Sequence, residues 1–587
     1  MPSLRDTSDL ISAVRANAAE MPEEEAVIHV HDPEQEDGHT SLTYAELDHR
    51  ARRLAVYLRQ HLAAGERALL QYSSGTDFPV AFFGCLYASI IAVPAPLPES
   101  NQREQLRVKG IVRDADVRAV LTSTAQLDQV TAWAEAEGLT GLPMLATDGD
   151  DVGATGTEAW EHPAVDRATP AMLQYTSGST SEPKGAVITH GNLLHNIQAM
   201  EDALPLPDGG RHGGWIPMHH DMGLIGHLLG GVLTGRSAVL MPPMTFVRRP
   251  HLWLRAIERY DVKFSSAPNF AYALLNDRVT DQQLAALDLS GWRYAGNGSE
   301  PIQARTLRAF SERFRSAGLR TESVMAGYGM AEATLLVATA PNRPPLTLRV
   351  DADALEQHRI VRAEPTEDRY RELVGCGPLF GINAIIVAPD SGERLPDGRI
   401  GEIWLRGESV AHGYWNNETA TQQTFGATTQ DGDTGYLRTG DLGAFVDGDL
   451  FITGRIKETL FLHGRNLYPQ DIEHEVQRRH TELRSLPGAA FTVPAGTGAR
   501  NAEDLVITQE IRGRFSDTEL ARISAGIKQT VSREFGLPVA SVALLRPGAV
   551  HRTTSGKIQR IAMRQLFLGN ELRPLHLDGP PSSAQPA

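Results

Sequence analysis

Apolar residues recur along the first half of the chain with two alternating periods. Leu47, Ala51 and Leu54 follow helical spacing behind a capping pair formed by Thr43 and Glu46. Between such helical stretches stand apolar runs of strand length, at residues 67–72, 119–122, 238–241, 292–297 and 323–327. Helices that alternate with short buried strands predict an α/β body built in layers.

The pattern changes in the second half of the chain. Beyond residue 375, glycines separate short strands at 384–387, 402–406 and 449–453, which predicts a small β-rich subdomain. From residue 456 onward, helical periodicity at 470–480 and 517–535 flanks an apolar run at 489–493, and an apolar segment at 557–568 closes the unit.

These patterns predict an α/β protein of two unequal parts. The large N-terminal body, residues 1–455, holds two α/β layered subdomains and a small β-barrel-like subdomain. A hinge at 456–457 leads to a small mobile α+β C-terminal domain at 458–575, and residues 576–587 have the composition of a disordered tail. A chain of 587 residues is too long for one core, which agrees with this division.

Composition narrows the classes of function. A net charge of −16 argues against a nucleic-acid partner, which calls for a basic surface. Cys85 and Cys376 are the only cysteines, so a disulfide framework or a Cys-based zinc site is excluded and the reducing cytoplasm is expected. The start lacks a signal-peptide core, and the longest apolar run, residues 80–93, is shorter than a bilayer span of about 20 residues. We expect no stable membrane insertion and interpret that run as a buried helix leading into a strand.

Candidate chemistry begins at residues 173–196, where hydroxyls, glycines and one lysine stand between an apolar run and a helical one. This composition predicts a loop that grips phosphates. It is not a Walker A loop, because glycine follows the lysine instead of preceding it. The alternative is a solvated Ser/Gly linker. The candidate phosphate-binding residues are Thr176, Ser177, Gly178, Ser179, Thr180 and Lys184.

Four later motifs make the linker interpretation untenable. They read Y-G-M-A-E at 328–332, L-R-T-G-D at 437–441, G-R-I-K at 454–457 and T-S-G-K at 554–557. With these motifs in this order, the chain resembles the adenylate-forming superfamily of acyl-CoA synthetases, luciferases and peptide-synthetase adenylation domains, over nearly all of residues 8–570.

Within that superfamily the chain is most similar to the fatty acyl-AMP ligases. The segments that carry this likeness are W-I-P-M-H-H-D-M-G-L-I-G at 215–226, S-A-P-N-F-A-Y at 266–272, N-G-S-E-P at 297–301, G-Y-G-M-A-E-A-T-L at 327–335 and G-R-N-L-Y-P-Q-D-I-E at 464–473. A charged stretch at about 342–372 also matches an insertion that this family associates with reduced use of coenzyme A.

The resemblance implies how the nucleotide is held. Tyr328 matches the aromatic residue that stacks on adenine, and an aromatic face with a polar edge suits a purine. Asp441 matches the carboxylate that accepts the ribose hydroxyls, with Arg455 beside it. The other residues assigned to ATP and AMP binding are Asn297, Gly298, Ser299, Gly327, Gly329 and Met330.

The resemblance also implies the metal, the catalytic lysine and the hinge. Glu332 matches the carboxylate that holds Mg²⁺, although Ala331 stands where the superfamily often has a phosphate-binding hydroxyl. Lys557 matches the lysine that the small domain delivers to the reaction, where a positive charge stabilises developing negative charge. His551 stands where a proline often precedes this motif. Lys457 occupies the hinge position.

A histidine-rich segment leads to the expected acyl pocket. His219, His220 and His227 match no zinc motif, so a metal site there is the weaker interpretation. In the family, the position of His220 lies between nucleotide and acyl group, which implies a role in gating or in orienting the carboxylate. The residues expected to line the pocket are Asp221, Met222, Gly223, Ile225, Gly230, Ser266 and Phe270.

The implied activity is activation of a fatty acid by ATP and Mg²⁺ to acyl-AMP and pyrophosphate, followed by acyl transfer to a phosphopantetheine thiol. Only 30 residues follow Lys557 and none forms a carrier unit, so we expect the acyl carrier protein to be a separate chain. Three alternatives stay open: an acyl-CoA synthetase, a free-standing adenylation enzyme for an amino or aryl acid, and a binding protein that keeps the fold without catalysis.

Overall fold

The protein is described by a computed structural model that covers residues 3–98, 102–175, 183–367, 369–462, 465–483, 486–495, 503–553 and 556–579. Its helices are α1 Leu10–Glu20, α2 Tyr44–Leu58, α3 Asp77–Tyr87, α4 Gln102–Asp114, α5 Leu127–Ala136, α6 Asp150–Gly153, α7 His190–Ala203, α8 Gly230–Leu233, α9 Pro243–Arg248, α10 His251–Arg259, α11 Asn269–Arg278, α12 Asp281–Ala285, α13 Ala304–Phe314, α14 Ala352–Glu356, α15 Glu418–Thr424, α16 Pro469–Arg479, α17 Asp517–Phe535 and α18 Arg560–Leu568.

The strands, in chain order, are β1 Glu25–Val30, β2 His39–Thr43, β3 Arg67–Leu70, β4 Ile91–Pro94, β5 Ala119–Thr122, β6 Met144–Ala146, β7 Pro170–Tyr175, β8 Gly185–Thr189, β9 Arg211–Gly214, β10 Ala238–Leu240, β11 Val262–Ala267, β12 Tyr294–Asn297, β13 Val324–Gly329, β14 Leu336–Thr339, β15 Thr347–Asp351, β16 Tyr370–Val374, β17 Asn383–Val387, β18 Gly401–Arg406, β19 Leu437–Val446, β20 Asp449–Arg455, β21 Leu460–Leu462, β22 Arg465–Leu467, β23 Gly488–Pro494, β24 Glu503–Glu510, β25 Val539–Leu545 and β26 His576–Asp578.

Two sheets with helices between and outside them form the N-terminal body. One has the order β6-β5-β3-β4-β7-β8 and the other β14-β13-β12-β11-β9-β10-β1-β2, and both are parallel except at edge strands. Apolar residues of both sheets share one core with α1, α2, α3 and α7. The outer faces are covered by α4 and α5 on the first sheet and by α10, α11 and α13 on the second. The predicted α/β fold class is confirmed.

Several local predictions are confirmed in detail. Thr43 and Glu46 form the expected capping box of α2. The apolar run at 80–93 becomes α3 followed by β4, both almost wholly buried. Among the described residues, no helix combines the length and the apolar composition that crossing a membrane requires.

After the two large sheets, a four-stranded antiparallel sheet of order β17-β18-β19-β20 provides the β-rich subdomain of the body. A short 3₁₀ turn at Ile456–Glu458 then leads into the C-terminal domain, whose sheet has the order β23-β24-β25-β26 and packs against α16 and α17. The prediction that disorder begins at residue 576 is wrong for 576–578. These residues form β26, which pairs with β25 and is held by an Asp578–Lys528 ion pair of 3.0 Å. Residues 580–587 lie outside the described part of the chain.

The charged insertion folds as a hairpin of β15 and β16 with α14 between them. Its apolar residues Leu348, Val350 and Leu355 join a core with residues of β19 and β20. The insertion is therefore packed onto the β-rich subdomain rather than projecting freely.

Asn196 of α7 connects the helix after the phosphate loop to the turn that bears Glu332. It is fully buried, donates through Nδ2 to Leu336 O at 3.0 Å and accepts the Leu336 N–H at 3.0 Å. Its Nδ2 also lies 3.1 Å from Ser409 Oγ. This amide fixes three segments at one point.

We expect Asn196→Ala to lower the free energy of unfolding by roughly 2–4 kcal/mol, because it removes both hydrogen bonds to the partly buried Leu336 backbone and the contact with Ser409. Urea denaturation measures the change. Gln198→Ala, on the partly exposed side of the same helix, should change it by less than about 0.5 kcal/mol. Equal midpoints for the two variants would contradict the role of Asn196.

Candidate active site

The site lies where strands of the larger sheet end. β11, β12 and β13 are parallel neighbours, so their carboxyl ends meet at one edge of the sheet. The N-G-S-E-P and Y-G-M-A-E motifs follow β12 and complete β13, which places both at this edge. In open α/β sheets, ligands bind in the crevice outside such strand ends.

Tyr328, Asp441 and Arg455 form one hydrogen-bonded group. The Tyr328 hydroxyl donates to Asp441 Oδ2 at 2.8 Å, and Arg455 Nε donates to Asp441 Oδ1 at 2.7 Å. Register pairing of β19 with β20 sets Asp441 opposite Arg455. Burial first, and then the Asp441 charge, raise the pKa of Tyr328 well above its usual value, so its hydroxyl stays a donor. The Asp441 side chain is only 6% exposed, while that of Arg455 is 45% exposed.

The backbone around Tyr328 leaves no room for side chains. A Cβ on Gly298 would stand 2.9 Å from Gly327 O, and one on Gly329 would stand 1.9 Å from Leu335 O. Ser299 has φ +70°, a left-handed conformation that non-glycine residues adopt mainly where the surroundings enforce it. Asn297 is buried and its Nδ2 faces Asn269 Oδ1 at 3.3 Å. Met330 Sδ lies 3.9 Å from the Tyr328 hydroxyl.

Glu332 lies on the 3₁₀ turn that follows β13. One of its oxygens, Oε1, accepts a hydrogen bond from the Tyr414 hydroxyl at 2.9 Å. The described residues contain no group of three or more His, Cys, Asp or Glu side chains that could hold a metal by themselves. The single carboxylate of Glu332 fits Mg²⁺, because this ion is usually held by one or two carboxylates together with substrate phosphates and water.

Only the end of the phosphate loop can be placed. Thr176, Ser177, Gly178, Ser179 and Thr180 lie outside the described residues. Lys184 immediately precedes β8, and its Nζ lies 5.3 Å from the centre of the Tyr414 ring. Lys184 therefore lies over the ring of the tyrosine whose hydroxyl contacts Glu332.

Lys557 lies in the cleft between the two parts of the chain. Its backbone N–H donates to Thr553 Oγ1 at 3.1 Å, ahead of α18. Burial lowers the pKa of Lys557, the Arg455 charge lowers it further, and the charges of Asp221, Asp441 and Glu300 oppose that change. The C-terminal domain thus already presents this lysine to carboxylates of the body.

Contacts on both sides hold the Lys557 loop. A Cβ on Gly556, at φ +90°, would stand 2.7 Å from the Phe270 ring, so Gly556 lies directly against this candidate acyl-pocket residue. On the domain side, Arg560 donates from Nε and Nη2 to both oxygens of Glu473 at 2.7 Å, and from Nη1 to Glu458 next to the hinge. Arg560 was missed by sequence reasoning, although it lies three residues after Lys557.

Glu300 is a second residue that sequence reasoning missed, although it stands inside the N-G-S-E-P motif. Its Oε1 accepts the Phe270 N–H at 2.6 Å. Burial raises its pKa to about 7 against the Phe270 hydrogen bond and the charges of Lys557, Arg552 and Arg560. It is a carboxylate of the body that faces the cationic loop of the other domain.

The histidine-rich segment folds into a π-helix, Met222–Leu229, in which Met222, Gly223 and Ile225 are buried. His220 lies before it, with Nδ1 3.0 Å from Asp221 Oδ1. Burial raises the pKa of Asp221, but the hydrogen bond and charge of His220 and the charge of Lys557 outweigh it and hold the pKa below its usual value. π-helical turns are frequent at functional sites.

The remaining acyl-pocket candidates surround this helix. Ser266 at the end of β11 donates its N–H to His227 Nε2 at 3.2 Å. Gly230 begins α8, where a Cβ would meet the His212 ring at 3.0 Å. Phe270 packs edge-to-face with Trp215 at 5.9 Å between ring centroids. Burial lowers the pKa of His219 to about 3 and that of His227 to about 3, so both imidazoles are neutral.

The structure thus brings Tyr328, Glu332, Asp441, Arg455 and Lys557 to one cleft. The predicted hinge residue Lys457 is exposed, on the turn that joins the two parts.

Tyr414 joins Glu300 and Arg560 among the residues missed. The G-Y-W sequence at 413–415 was visible, but an aromatic pair in a polar stretch has no specific meaning until its neighbours are known.

Comparisons with known proteins agree with this geometry. A model of the family described as AMP-binding enzyme matches residues 14–415. A medium-chain-fatty-acid–acyl-carrier-protein ligase of Moorena producens is 39% identical over 543 residues, covering 91% of this chain and 90% of the relative. A long-chain-fatty-acid–AMP ligase of Mycolicibacterium smegmatis is 37% identical over 574 residues, covering 91% and 90%.

The chain is also similar to a solved structure that contains bound ligands. The crystal structure of a fatty acyl-adenylate ligase from L. pneumophila, in complex with acyl adenylate and pyrophosphate, is 30% identical with a TM-score of 0.74. The match covers 98% of each chain.

We expect Glu300→Gln to remove a pH-dependent loss of stability. Between the ordinary pKa of 4.5 and the folded value of about 7, the unfolded chain releases a proton that the folded side chain retains. Stability therefore falls as pH rises through this window, and a glutamine lacks the effect. The difference in thermal midpoint, variant minus parent, should increase between about pH 5 and pH 7 and level off above. A difference that is flat across that range would show that Glu300 titrates normally.

Proposed function

The chain belongs to the AMP-binding enzymes, and within them to the fatty acyl-AMP ligases, and from this premise we propose that it activates a fatty acid and passes the acyl group to a separate acyl carrier protein. The observation that carries the proposal is the position of Lys557, in reach of the charges of Asp221 and Asp441 from a different domain. The chain is an adenylate-forming ligase.

Binding of the nucleotide follows from the groups at the strand ends. Tyr328 presents an aromatic face for adenine, and Asp441 offers charged oxygens for the ribose hydroxyls. Because Arg455 neutralises Asp441, this carboxylate can stand near phosphates with less repulsion. Lys184 would contact the β- and γ-phosphates.

The chemical step is attack of a carboxylate oxygen of the fatty acid on the α-phosphorus of ATP. The new O–P bond forms as the bond to pyrophosphate breaks, and negative charge grows on the surrounding oxygens. Lys557 supplies a fixed ammonium to that charge, an interaction that is stronger in the transition state than in the ground state. Mg²⁺ held by Glu332 would neutralise the leaving phosphates. His220 and Asp221 stand on the acyl side and orient the attacking carboxylate.

Transfer of the acyl group needs a thiol to reach the same cleft. The turn at Ile456–Glu458 is the covalent connection about which the C-terminal domain can rotate. Rotation would carry Lys557 away and open a path for a phosphopantetheine arm. The Moorena producens relative is a medium-chain-fatty-acid–acyl-carrier-protein ligase, which supports this partner.

The function is tested by incubating the protein with MgATP and a ladder of fatty acids and identifying acyl-AMP by mass. We expect one range of chain lengths to give acyl-AMP, and Lys557→Ala to reduce its formation by about 100-fold or more. Lys528→Ala, which breaks an ion pair elsewhere in the same domain, serves as the control. No acyl-AMP with any acid would overturn the proposal, and full activity of Lys557→Ala would remove this lysine from the step.

Acceptor choice is the second part of the proposal. The insertion contacts the C-terminal domain through Glu356, whose two oxygens accept from Arg465 Nε and Nη2 at 2.5 and 2.6 Å. Arg371 stacks on Phe535 with its Cζ 4.5 Å from the ring centre. These contacts stabilise the orientation in which Lys557 faces the body, and they oppose the rotation that either thiol acceptor needs. A carrier protein can offset that cost through the surface that it buries on docking, whereas free coenzyme A has no such surface.

We expect Glu356→Ala to raise acyl-CoA formation about fivefold, the change produced by about 1 kcal/mol in the domain equilibrium. Thioester formation with coenzyme A at saturating ATP and fatty acid measures it. Arg308→Ala is the matched control, because Arg308 pairs with Glu372 of the insertion but joins it to α13 of the body. Equal effects of the two variants would count against a latch between domains, and abundant acyl-CoA from the parent protein would favour an acyl-CoA synthetase.

A further inference from the structure

Tyr414 lies on a segment that borders the phosphate loop without belonging to any of the recognised motifs. Trp415 N–H donates to Gly185 O at 2.8 Å and Val187 N–H donates to Gly413 O at 2.9 Å, so this segment adds to the edge of β8. The chain of Ala411 continues the contact, since its N–H donates to Glu332 O at 2.9 Å. Residues 411–415 therefore bridge the Lys184 side of the loop to the Glu332 turn.

Both ends of the Tyr414 side chain are used. Its hydroxyl donates to Glu332 Oε1 at 2.9 Å, and its ring face lies under Lys184, with Nζ 5.3 Å from the ring centre. Phe425 packs edge-to-face on the ring at 5.2 Å, and the Tyr414 N–H donates to Thr421 Oγ1 at 2.9 Å. The side chain is thus held from behind while it contacts two charged groups in front.

Each contact restricts a charged group, the Glu332 carboxylate or the Lys184 ammonium, that would otherwise move with its flexible side chain. A hydroxyl that donates to one carboxylate oxygen fixes the plane of that carboxylate, so the second oxygen has a defined direction. A cation over an aromatic face is attracted by the ring, which restrains a lysine that has four rotatable bonds.

We propose that Tyr414 is a positioning residue that orients Glu332 and Lys184 together, so that the metal-binding carboxylate and the loop lysine grip the same pyrophosphate. The inference rests on the proposed function, which supplies the MgATP and the pyrophosphate. It adds a residue whose hydroxyl sets the affinity for Mg²⁺ and whose ring sets the affinity for pyrophosphate.

Two variants separate these roles. Tyr414→Phe removes the hydroxyl and keeps the ring. We therefore expect the concentration of free Mg²⁺ that half-saturates acyl-AMP formation to rise about tenfold, with little change in the inhibition of that reaction by pyrophosphate. Tyr414→Leu removes both, so we expect the Mg²⁺ requirement and the inhibition constant of pyrophosphate to rise together. Tyr436→Phe is the matched control, since it removes a 2.8 Å hydroxyl contact to Asp433 outside the cleft.

Calorimetric titration with ATP and with pyrophosphate, at low and high Mg²⁺ and without fatty acid, gives the same comparison as binding constants. This readout stands even if no fatty acid is turned over, so failure of the proposed function and failure of the present inference give different results. A Mg²⁺ dependence of Tyr414→Phe equal to that of Tyr436→Phe would overturn the inference. Equal pyrophosphate affinities for Tyr414→Phe and Tyr414→Leu would also overturn it. Thermal melting of each variant shows whether the protein is folded, so a loss of binding caused by unfolding is recognised.

Discussion

The hydrogen-bonded group formed by Asp441, Arg455 and Tyr328 is the interaction on which the arrangement of the cleft depends. Asp441 comes from β19, Arg455 ends β20 at the hinge, and Tyr328 belongs to the larger sheet of the body. A single carboxylate therefore connects a strand of the larger sheet, the β-rich subdomain and the last residue before the C-terminal domain. Because Asp441 is buried, loss of either partner would leave an incompletely paired charge in the site.

The same electrostatic constraint extends across the domain boundary. Arg455 and Lys557 repel one another, and a cleft that held only these cations would oppose closure. Carboxylates of the body provide the compensation: Asp221 on the acyl side, Asp441 at the nucleotide and Glu300 beside Phe270. When ATP binds, its phosphates become a further counter-charge. In the proposed reaction, the orientation that serves adenylation would be stabilised by the ATP that this step consumes, and release of pyrophosphate would weaken it.

The candidate site residues came from the resemblance that the order of the motifs carries, and several of these motifs also encode a local backbone shape. Glycines at 298 and 329 permit close approach of neighbouring backbone, and Asp441 and Arg455 fall in register on one hairpin. What local reasoning missed has a common cause. Tyr414, Glu300 and Arg560 act on partners 82, 30 and 87 residues away in the chain, and such contacts leave no periodic or spacing signal.

The sequence by itself determined the succession of helices and strands, the division into a body and a small domain, and the residue types that handle nucleotide and charge. Periodicity and capping are local, so α17 was predicted with the bounds that it has. Tertiary structure decided which side chains share a charge, that residues 576–578 complete a sheet, and that Lys557 reaches the body. Those outcomes depend on burial and on contacts between segments that are far apart in the chain. Such contacts arise only when the chain packs in three dimensions, so no single stretch of sequence reveals them.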